Sequence, residues 1–233
     1  MTQNNFIAEL KLLNIDINEP QLDKLNKYYE LLIEYNKVMN LTGITEKEEV
    51  YLKHFYDSLT ITKIIDLNKI NSLCDMGTGA GFPGIVLAIM YPNLKVTLVD
   101  SLNKRINFLN IVIKELGLNN VITYHDRIEE YSKKNIEKYD VVTARAVAQT
   151  NILLEICSQS IKVNGYFIAM KGNLENESDY SNALFKLDFK EEKILKFNLP
   201  IENSDRSLLK FQKIKSTNKL FPRKYSDIKK KPL

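Results

Sequence analysis

Asp75–Gly84, DMGTGAGFPG, is the most informative segment of this sequence, because it places four of the eight glycines of a 233-residue chain within ten positions. The segment SLCDM that leads into it is typical of a buried strand, and GFPGIVLAIMY at its end is typical of a helix. Glycine is costly in backbone entropy and is expected where the chain turns with positive φ or approaches a ligand closely. A glycine-rich turn between a strand and a helix predicts an α/β protein that binds a ligand at the carboxyl edge of a parallel sheet.

Asp100 ends the next strand candidate, KVTLVD, where a carboxylate accepts hydrogen bonds from ribose hydroxyls. Two cofactor classes share this layout. Gly79–Gly84 matches the dinucleotide pattern G-x-G-x-x-G, but the loop begins two residues earlier, at Gly77, and Asp75 stands where a nicotinamide site prefers an apolar residue. A D-x-G-x-G-x-G loop favours S-adenosylmethionine (SAM), whose ammonium group Asp75 would face.

Beyond residue 70, short apolar runs alternate with amphipathic segments, which predicts βαβ units and a mostly parallel, doubly wound, Rossmann-like sheet. Two late strand candidates, EEKILKFNLP and RSLLKFQKI, have no long crossover between them, which predicts an antiparallel end strand. We therefore divide the chain into a helical N-terminal cap over residues 1–65 and an α/β domain with a basic tail over residues 66–233.

The N-terminal cap contains two helix signals. Asn18 is a candidate cap, with Pro20 in the first turn of a helix that has one apolar face. TEKE, at Thr45–Glu48, has the pattern of a capping box and predicts a second helix that runs towards His54.

Composition excludes several classes of protein. Two cysteines and two histidines make neither a disulfide framework nor a metal site, so we expect no metal. No run of about 18 apolar residues predicts a membrane span, and the first residues lack the pattern of a signal peptide. We expect a cytoplasmic protein.

Charge is distributed unevenly along the chain. Residues 1–60 carry six Lys and Arg against ten Asp and Glu, whereas residues 204–233 carry ten against two. A basic end is suited to a polyanion such as RNA, although on charge alone a solvated tail is the simpler interpretation.

Several segments, taken in order, resemble one family of enzymes. They are NLTGIT at residues 40–45, HFYDSL at 54–59, MGTGAGFPGIVLAI at 76–89, LVDSLNKRINFL at 98–109, RIEE at 127–130, ARAVA at 144–148, MKG at 170–172 and the ending FPRK…KKPL. Together they are similar to the bacterial small-subunit ribosomal RNA guanine-N7 methyltransferases, the RsmG or GidB family. The chain departs from the family pattern where Tyr35-Asn36 replaces a Trp-Asn pair and where YSDI follows Arg223-Lys224.

The resemblance implies a SAM-dependent methyltransferase that acts on N7 of a guanosine in 16S ribosomal RNA. The implied partner is 16S rRNA or the small ribosomal subunit, and we expect a monomer that binds neither DNA nor a membrane. With Gly79 added from the same loop, the SAM-binding residues would be Gly77, Gly79, Phe82, Asp100, Ile128, Glu129 and Arg145.

Guanine N7 carries an in-plane lone pair and no proton, so methyl transfer to it needs no general base. The pair His54 and Asp57 resembles an acid–base dyad, but this chemistry favours a capping or packing histidine instead. We expect Asn40 and Arg145 to hold the base and Lys171 to bind a nearby phosphate. Arg145 follows the strand YDVVTA, and an ion pair with Asp75 or Glu129 is an equal alternative for its guanidinium.

The tail KLFPRKYSDIKKKPL places Phe221 and Tyr225 among basic side chains, a combination suited to structured RNA. With the family resemblance, we expect Arg223 and Lys224 to bind RNA. Three other functions compete with methylation of rRNA: a nicotinamide-dependent oxidoreductase, a non-enzymatic RNA-binding or ribosome assembly factor, and a methyltransferase of small molecules or proteins.

Overall fold

The computed structural model describes residues 1–233 and contains one seven-stranded sheet in the order β3-β2-β1-β4-β5-β7-β6. β7 alone runs in the direction opposite to the other six strands, which confirms the predicted α/β class with one antiparallel strand near the end of the sheet. The strands are β1 (Ser72–Met76), β2 (Lys95–Asp100), β3 (Val121–His125), β4 (Tyr139–Arg145), β5 (Ile161–Lys171), β6 (Phe189–Asn198) and β7 (Asp205–Lys213).

Ten α-helices surround the sheet and bury both of its faces. One face is covered by the N-terminal helices with α5 and α6, and the other by α7 to α10. The helices are α1 (Gln3–Leu12), α2 (Glu19–Met39), α3 (Lys47–Val50), α4 (Asp57–Leu59), α5 (Gly84–Met90), α6 (Asn103–Glu115), α7 (Ile128–Lys134), α8 (Thr150–Cys157), α9 (Ser181–Leu187) and α10 (Tyr225–Lys230). No helix is long and apolar enough to cross a membrane.

The strand order changes direction at β1, which pairs in parallel with both β2 and β4. The carboxyl ends of these three strands lead to Gly77, Asp100 and Arg145 respectively. Open α/β sheets bind ligands at such a switch point, because the loops on either side of it diverge and leave a crevice. Topology therefore brings three of the predicted site residues to one edge.

The two predicted helix starts in the N-terminal region have different outcomes. Asn18 Oδ1 accepts from Gln21 N at 2.9 Å and Gln21 Oε1 accepts from Asn18 N at 3.0 Å, a complete capping box that confirms the start of α2. The capping box predicted at Thr45 is wrong, because α3 begins at Lys47 and its N-cap, Glu46, makes no side-chain hydrogen bond.

The segment after α3 is a π-helical turn, Tyr51–Tyr56, which leads directly into α4. Such widened turns are uncommon and often occur at functional sites. This one carries His54, with Asp57 just beyond it, towards the carboxyl edge of the sheet. The N-terminal helices share a single hydrophobic core with that face of the sheet, and Tyr28 donates a buried hydrogen bond to the carbonyl of Ala80 in the glycine loop.

The basic tail is docked, so its interpretation as a solvated tail is wrong. Ile228 of α10 is fully buried, and α10 packs against α8. Gln159 Nε2 donates to three tail carbonyls, those of Thr217, Asn218 and Phe221, at 2.8 to 3.3 Å. The basic tail is therefore held in place by burial of its apolar side chains and by hydrogen bonds to its backbone carbonyls, neither of which its charge could indicate.

Candidate active site and cofactor cavity

The glycine loop uses the backbone freedom of glycine at three positions, with φ of +73° at Gly77, +62° at Gly79 and +107° at Gly81. Gly77 N–H donates to the carbonyl of Val99 at 2.8 Å, which ties the loop to the end of β2. A Cβ at Gly77 would lie 2.7 Å from Cγ2 of Val147, so this glycine also makes room for the segment after β4.

Asp100 is held in a fixed orientation at the end of β2. Its carboxylate accepts from the backbone N–H groups of Gly79 and Leu102, each at 2.9 Å, and from Arg105 Nη1 at 3.1 Å. The structure thus gives Gly79 a supporting role, because it positions Asp100 and does not line the cavity described next.

A cavity of about 760 Å³ opens beside these residues and is called the cofactor cavity below. Its volume lies in the range typical of sites for small molecules and cofactors. It brings together four of the residues predicted to bind SAM, Gly77, Asp100, Ile128 and Glu129. Its other lining residues are Ser101, Leu102, Arg105, His125, Asp126, Arg127, Ala146, Val147, Ile156 and Tyr225.

The lining of the cofactor cavity fits SAM. Asp100 presents a hydrogen-bond acceptor to the cavity and Ile128 an apolar side chain, the two kinds of group that a ribose and a purine ring require. The Glu129 carboxylate is 6 % exposed, and its nearest cation, Arg127 Nη1, lies 3.9 Å away, beyond hydrogen-bonding distance. With Asp126, three carboxylates line the cavity against the two guanidiniums of Arg105 and Arg127, and this acidic excess suits a cationic sulfonium cofactor better than a dinucleotide with its pyrophosphate.

A second cavity of about 340 Å³, called the base cavity below, lies next to the first. Ala146 lines both cavities, in a left-handed conformation with φ 56°. A non-glycine residue in this region is strained, and such strain concentrates at functional sites. The chemically active side chains around the base cavity are Lys53, His54, Asp57, Arg145, Lys171 and Arg206.

Arg145 lines the base cavity and not the cofactor cavity. Its Nη1 donates to Asp57 Oδ2 and to the carbonyl of Lys53, each at 3.0 Å. Asp57 therefore takes the place of Asp75 and Glu129, the two ion-pair partners expected from the sequence. The guanidinium lies over the ring of Phe82, with Cζ 5.4 Å from the ring centroid.

Phe82 has a different position from the one predicted. It is 6 % exposed and does not line the cofactor cavity. Its ring stacks on the imidazole of His54 at a centroid distance of 4.4 Å and also packs against the guanidinium of Arg145. The turn before α5 directs this aromatic ring into the core under the N-terminal helices, and its contact with SAM stays a prediction.

His54 is a packing histidine, as the chemistry of guanine N7 favours. Its Nε2 lies 2.8 Å from Thr42 Oγ1, and no hydrogen bond joins it to Asp57, so the dyad is not formed. Burial, followed by the charge of Arg145, lowers the pKa of His54 to about 3. The imidazole is therefore neutral at physiological pH.

Asn40 lies outside both cavities, so no cavity contact supports its predicted role in binding the base, which stays a prediction. It is the C-cap of α2 in the left-handed conformation, with φ 50°, and its side chain is exposed. Asparagine tolerates this conformation better than most residues, which explains its presence at the helix end. Ile44 is the member of the NLTGIT segment that lines the base cavity, and Thr42 contacts the site through His54.

Two residues predicted to bind phosphates are instead paired with carboxylates. Lys171 Nζ donates to Glu177 Oε1 at 2.7 Å and to the carbonyl of Ala148 at 2.6 Å, although it does line the base cavity. Arg223 donates from Nε to Glu155 Oε1 at 2.8 Å and from Nη2 to Glu155 Oε2. Glu155 is fully buried, so Arg223 compensates a charge in the core. Lys224, in contrast, is exposed.

Asp75 does not face the cofactor cavity, which corrects its expected contact with an ammonium group. It is fully buried, and its Oδ2 accepts from Thr78 Oγ1 at 2.7 Å and from Gly84 N at 2.9 Å. Burial raises the pKa of Asp75 to about 6. The carboxyl shapes the glycine loop from within.

Sequence reasoning missed Arg206, which lies at the start of β7 and lines the base cavity. Because β7 is antiparallel to β5, its first residues lie at the carboxyl edge, with Ser207 opposite Lys171. The signal was present in the predicted antiparallel strand RSLLKFQKI, whose charged first residue belongs at this edge. Tyr225, expected to stack on RNA, lies instead against the cofactor cavity.

Solved structures of known proteins share the fold. One is TYW2 from M. jannaschii in complex with AdoMet, with a TM-score of 0.51 and 19% identity over 61% of this chain and 69% of that one. Another is the 16S rRNA (adenine(1408)-N(1))-methyltransferase from Catenulisporales acidiphilia with SAM, with a TM-score of 0.53 and 14% identity over 64% and 87%. These likenesses define the class of fold, which is Rossmann-like, and both of these structures hold a SAM cofactor.

The particular family follows from sequence comparison. GidB, described as rRNA small subunit methyltransferase G, matches residues 21–208. Ribosomal RNA small subunit methyltransferase G of Lysinibacillus sphaericus is 47% identical over all of this chain and all of its own length. The protein of the same name from Bacillus subtilis is 45% identical over all of this chain and 99% of its length. The chain belongs to the GidB family.

Proposed function

We propose that this chain transfers the methyl group of SAM to N7 of a guanosine in 16S ribosomal RNA. Relatives that match the full chain carry the name of an rRNA small subunit methyltransferase. One observation of the structure carries the proposal: a single residue, Ala146, lines both the cofactor cavity and the base cavity. A cofactor in one cavity and a base in the other would meet at this residue.

The cofactor cavity would hold SAM through contacts of its own residues. Asp100 accepts from the ribose hydroxyls, Ile128 packs on the adenine, and the backbone at Gly77 allows close approach. When bound, SAM supplies an electrophilic methyl group on a positively charged sulfur. The carboxylates of Asp100 and Glu129 balance the positive charges of the cofactor while it is held in place.

The base cavity would hold the guanine with its N7 lone pair directed towards Ala146. A bidentate arginine contact to O6 and N7 is the common way to bind guanine, but it would block the nitrogen that must react. Arg145 therefore donates to O6 alone. No proton is removed in this transfer, which agrees with a neutral His54 that carries no acid–base partner. Rate enhancement then comes from alignment of the two reactants and from relief of the sulfonium charge.

Contact with the rest of the RNA is assigned to exposed basic groups. Arg223 and Lys224 are the two tail residues predicted to bind RNA. Only Lys224 has an exposed side chain, so we assign the phosphate contact to Lys224 and not to Arg223. We also propose that the chain acts as a monomer in the cytoplasm and uses neither DNA nor a membrane as a partner. Gel filtration in the presence and absence of SAM tests the monomer.

The test is methyl transfer from methyl-labelled SAM to small ribosomal subunits from cells that lack the gene. The labelled RNA is digested, and the labelled nucleoside is identified and mapped. Label in 7-methylguanosine at one site supports the proposal. Label in another nucleoside overturns the assigned atom. Tight SAM binding with no label on RNA favours a non-enzymatic RNA-binding or assembly role.

A further inference from the structure

One buried carboxylate joins the two arginines of the base cavity. Asp57 Oδ2 accepts from Arg145 Nη1 and Asp57 Oδ1 accepts from Arg206 Nε, each at 3.0 Å. The side chain of Asp57 is 7 % exposed. The three residues come from the N-terminal helices, from the end of β4 and from the start of β7. A carboxylate shared by two guanidiniums fixes both in orientation and offsets their mutual repulsion.

Each arginine keeps N–H groups that have no acceptor within the chain. Arg145 uses Nη1 fully and places Nη2 3.4 Å from His54 Nδ1, while its Nε has no partner. Arg206 uses Nε and Nη1, and its Nη2 has no partner. Both side chains line the base cavity. One edge of each guanidinium is therefore held by Asp57, and the other edge has N–H groups that can donate to a ligand.

The other two cations of this cavity are already neutralised. Lys53 pairs with Glu49 at 2.8 Å and with Glu202 at 3.1 Å. Lys171 pairs with Glu177. The two arginines share only Asp57, so this cluster carries one net positive charge. An anion that accepts hydrogen bonds from a guanidinium would neutralise the remaining positive charge of this cluster.

The position of Arg206 shows where that anion would lie. Arg206, Phe197 and Ser207 line both the base cavity and a third cavity of about 390 Å³, whose other walls are the end of β6, the start of β7 and residues 173–175 after β5. The base cavity is thus open at Ala146 towards the cofactor and at Arg206 towards the third cavity. A polynucleotide with its guanine beside Arg145 would continue past Arg206 through its phosphodiester.

We propose that Asp57 is a positioning residue that sets the relative placement of a base-binding Arg145 and a phosphate-binding Arg206. The inference rests on the proposed function. Arg145 donates to guanine O6, and Arg206 Nη2 donates to a non-bridging oxygen of the adjacent phosphodiester. Because both guanidiniums are held by one carboxylate, base and phosphate dock as a unit and N7 is aligned only when both are bound.

The test uses Arg206→Gln, Arg206→Lys, Asp57→Asn and the double variant Asp57→Asn with Arg206→Gln. Lys210→Gln is the matched control, because Lys210 lies on the same strand, pairs with Glu192 and lies outside these cavities. The dissociation constant of SAM is measured by calorimetry. KM and kcat are measured with unmethylated small subunits, and binding to the same subunits is measured at several KCl concentrations and fixed magnesium.

Arg206→Gln is expected to raise KM about tenfold, as for loss of a charge-assisted hydrogen bond. It should also reduce the slope of log affinity against log salt by about 0.7, the value for one phosphate contact on a single strand. Arg206→Lys keeps the positive charge, so its salt slope should equal that of wild type. Its KM should lie between those of wild type and Arg206→Gln. Asp57→Asn should lower kcat as well as raise KM. The double variant, Asp57→Asn with Arg206→Gln, should have a KM less than twofold higher than that of Asp57→Asn alone.

Affinity for SAM should change less than twofold in every variant. Weaker SAM binding with unchanged KM for subunits would overturn the proposal and assign the arginines to the cofactor carboxylate. It is also overturned if Arg206→Gln matches Lys210→Gln in KM and salt slope. Arg206→Gln leaves Asp57 paired with Arg145, so thermal melting should show a folded protein even if Asp57→Asn does not fold. The product formed by the wild-type protein tests the proposed function separately from the roles of Asp57 and Arg206. If wild type forms 7-methylguanosine and Arg206→Gln behaves like wild type, only the inference about Asp57 and Arg206 is refuted.

Discussion

Arg223 in the tail and Glu155 in α8 form an ion pair in which a partly exposed guanidinium holds a fully buried carboxylate. The backbone N–H of Arg223 also donates to Glu155 Oε1, at 3.0 Å. Arg223 and Glu155 are 68 positions apart in sequence, so their ion pair closes a long loop and fixes the tail against α8. A residue that composition assigns to RNA serves here to stabilise the fold.

Arg223→Ala is therefore expected to destabilise the protein by about 3 kcal/mol, because it leaves a buried charge without its partner. Urea denaturation measures this change in the free energy of unfolding. Lys224→Ala is the control on the neighbouring exposed residue, and its stability should stay within about 0.5 kcal/mol of wild type. An Arg223→Ala protein that keeps its stability but binds small subunits more weakly than Lys224→Ala would contradict the assignment.

Gly77→Ala and Gly79→Ala form a second matched pair. Both positions have positive φ, so each alanine should cost about 1–2 kcal/mol of stability. Only the Cβ at Gly77 meets a neighbour, Val147 Cγ2, and must displace the segment that lines both cavities. Calorimetry should show SAM binding at least tenfold weaker for Gly77→Ala than for Gly79→Ala. Equal loss in the two variants would mean that the close approach at Gly77 is unimportant for the cofactor.

His54 and Asp75 make opposite contributions to stability in acid. The pKa of His54 is lowered to about 3 from an ordinary value of 6.5, so its contribution is present above pH 6.5 and is lost as pH falls towards 3. The pKa of Asp75 is raised to about 6 from 3.8, so its contribution is present below pH 3.8 and is lost as pH rises through 6. Between pH 4 and 6 the two slopes oppose each other, each up to about 1.4 kcal/mol per pH unit.

Asp75→Asn should therefore make the free energy of unfolding fall more steeply on acidification from pH 6 to 4. His54→Gln should change the slope in the other direction, whatever packing energy it loses. Urea titrations at half-unit pH steps measure both slopes. Parallel curves for wild type and either variant would show that the group in question does not titrate as its burial implies.

Asn40 tests whether a residue of the NLTGIT segment acts through its side chain or its backbone. Asn40→Gly should keep stability and kcat close to wild type, because glycine adopts the left-handed C-cap without strain. Asn40→Ala should cost about 1 kcal/mol and likewise leave kcat unchanged. A fall of tenfold or more in kcat for Asn40→Gly would restore the side chain to the base-binding role that the structure does not support.

Most of the architecture could be predicted, because it depends on patterns local to the chain. The alternation of strands and helices, the glycine loop and the capping box of α2 are each encoded within a few residues. The same reasoning failed at Thr45, where a capping pattern lies just before the start of the helix. It also did not predict that the ring of Phe82 stacks on His54, because adjacency to the glycine loop does not determine the direction of a side chain.

Local patterns in the sequence predict the class of fold, the edge of the sheet at which the cavities open and the acid at the end of β2, since strand ends and turns are local features. The partners of the charged side chains, in contrast, are set by tertiary contacts. Arg145 meets Asp57 across 88 residues and Arg206 meets it across 149. Electrostatic attraction depends on separation in space and on burial, so among 33 Lys and Arg no linear pattern identifies which are committed to a buried carboxylate and which remain for RNA.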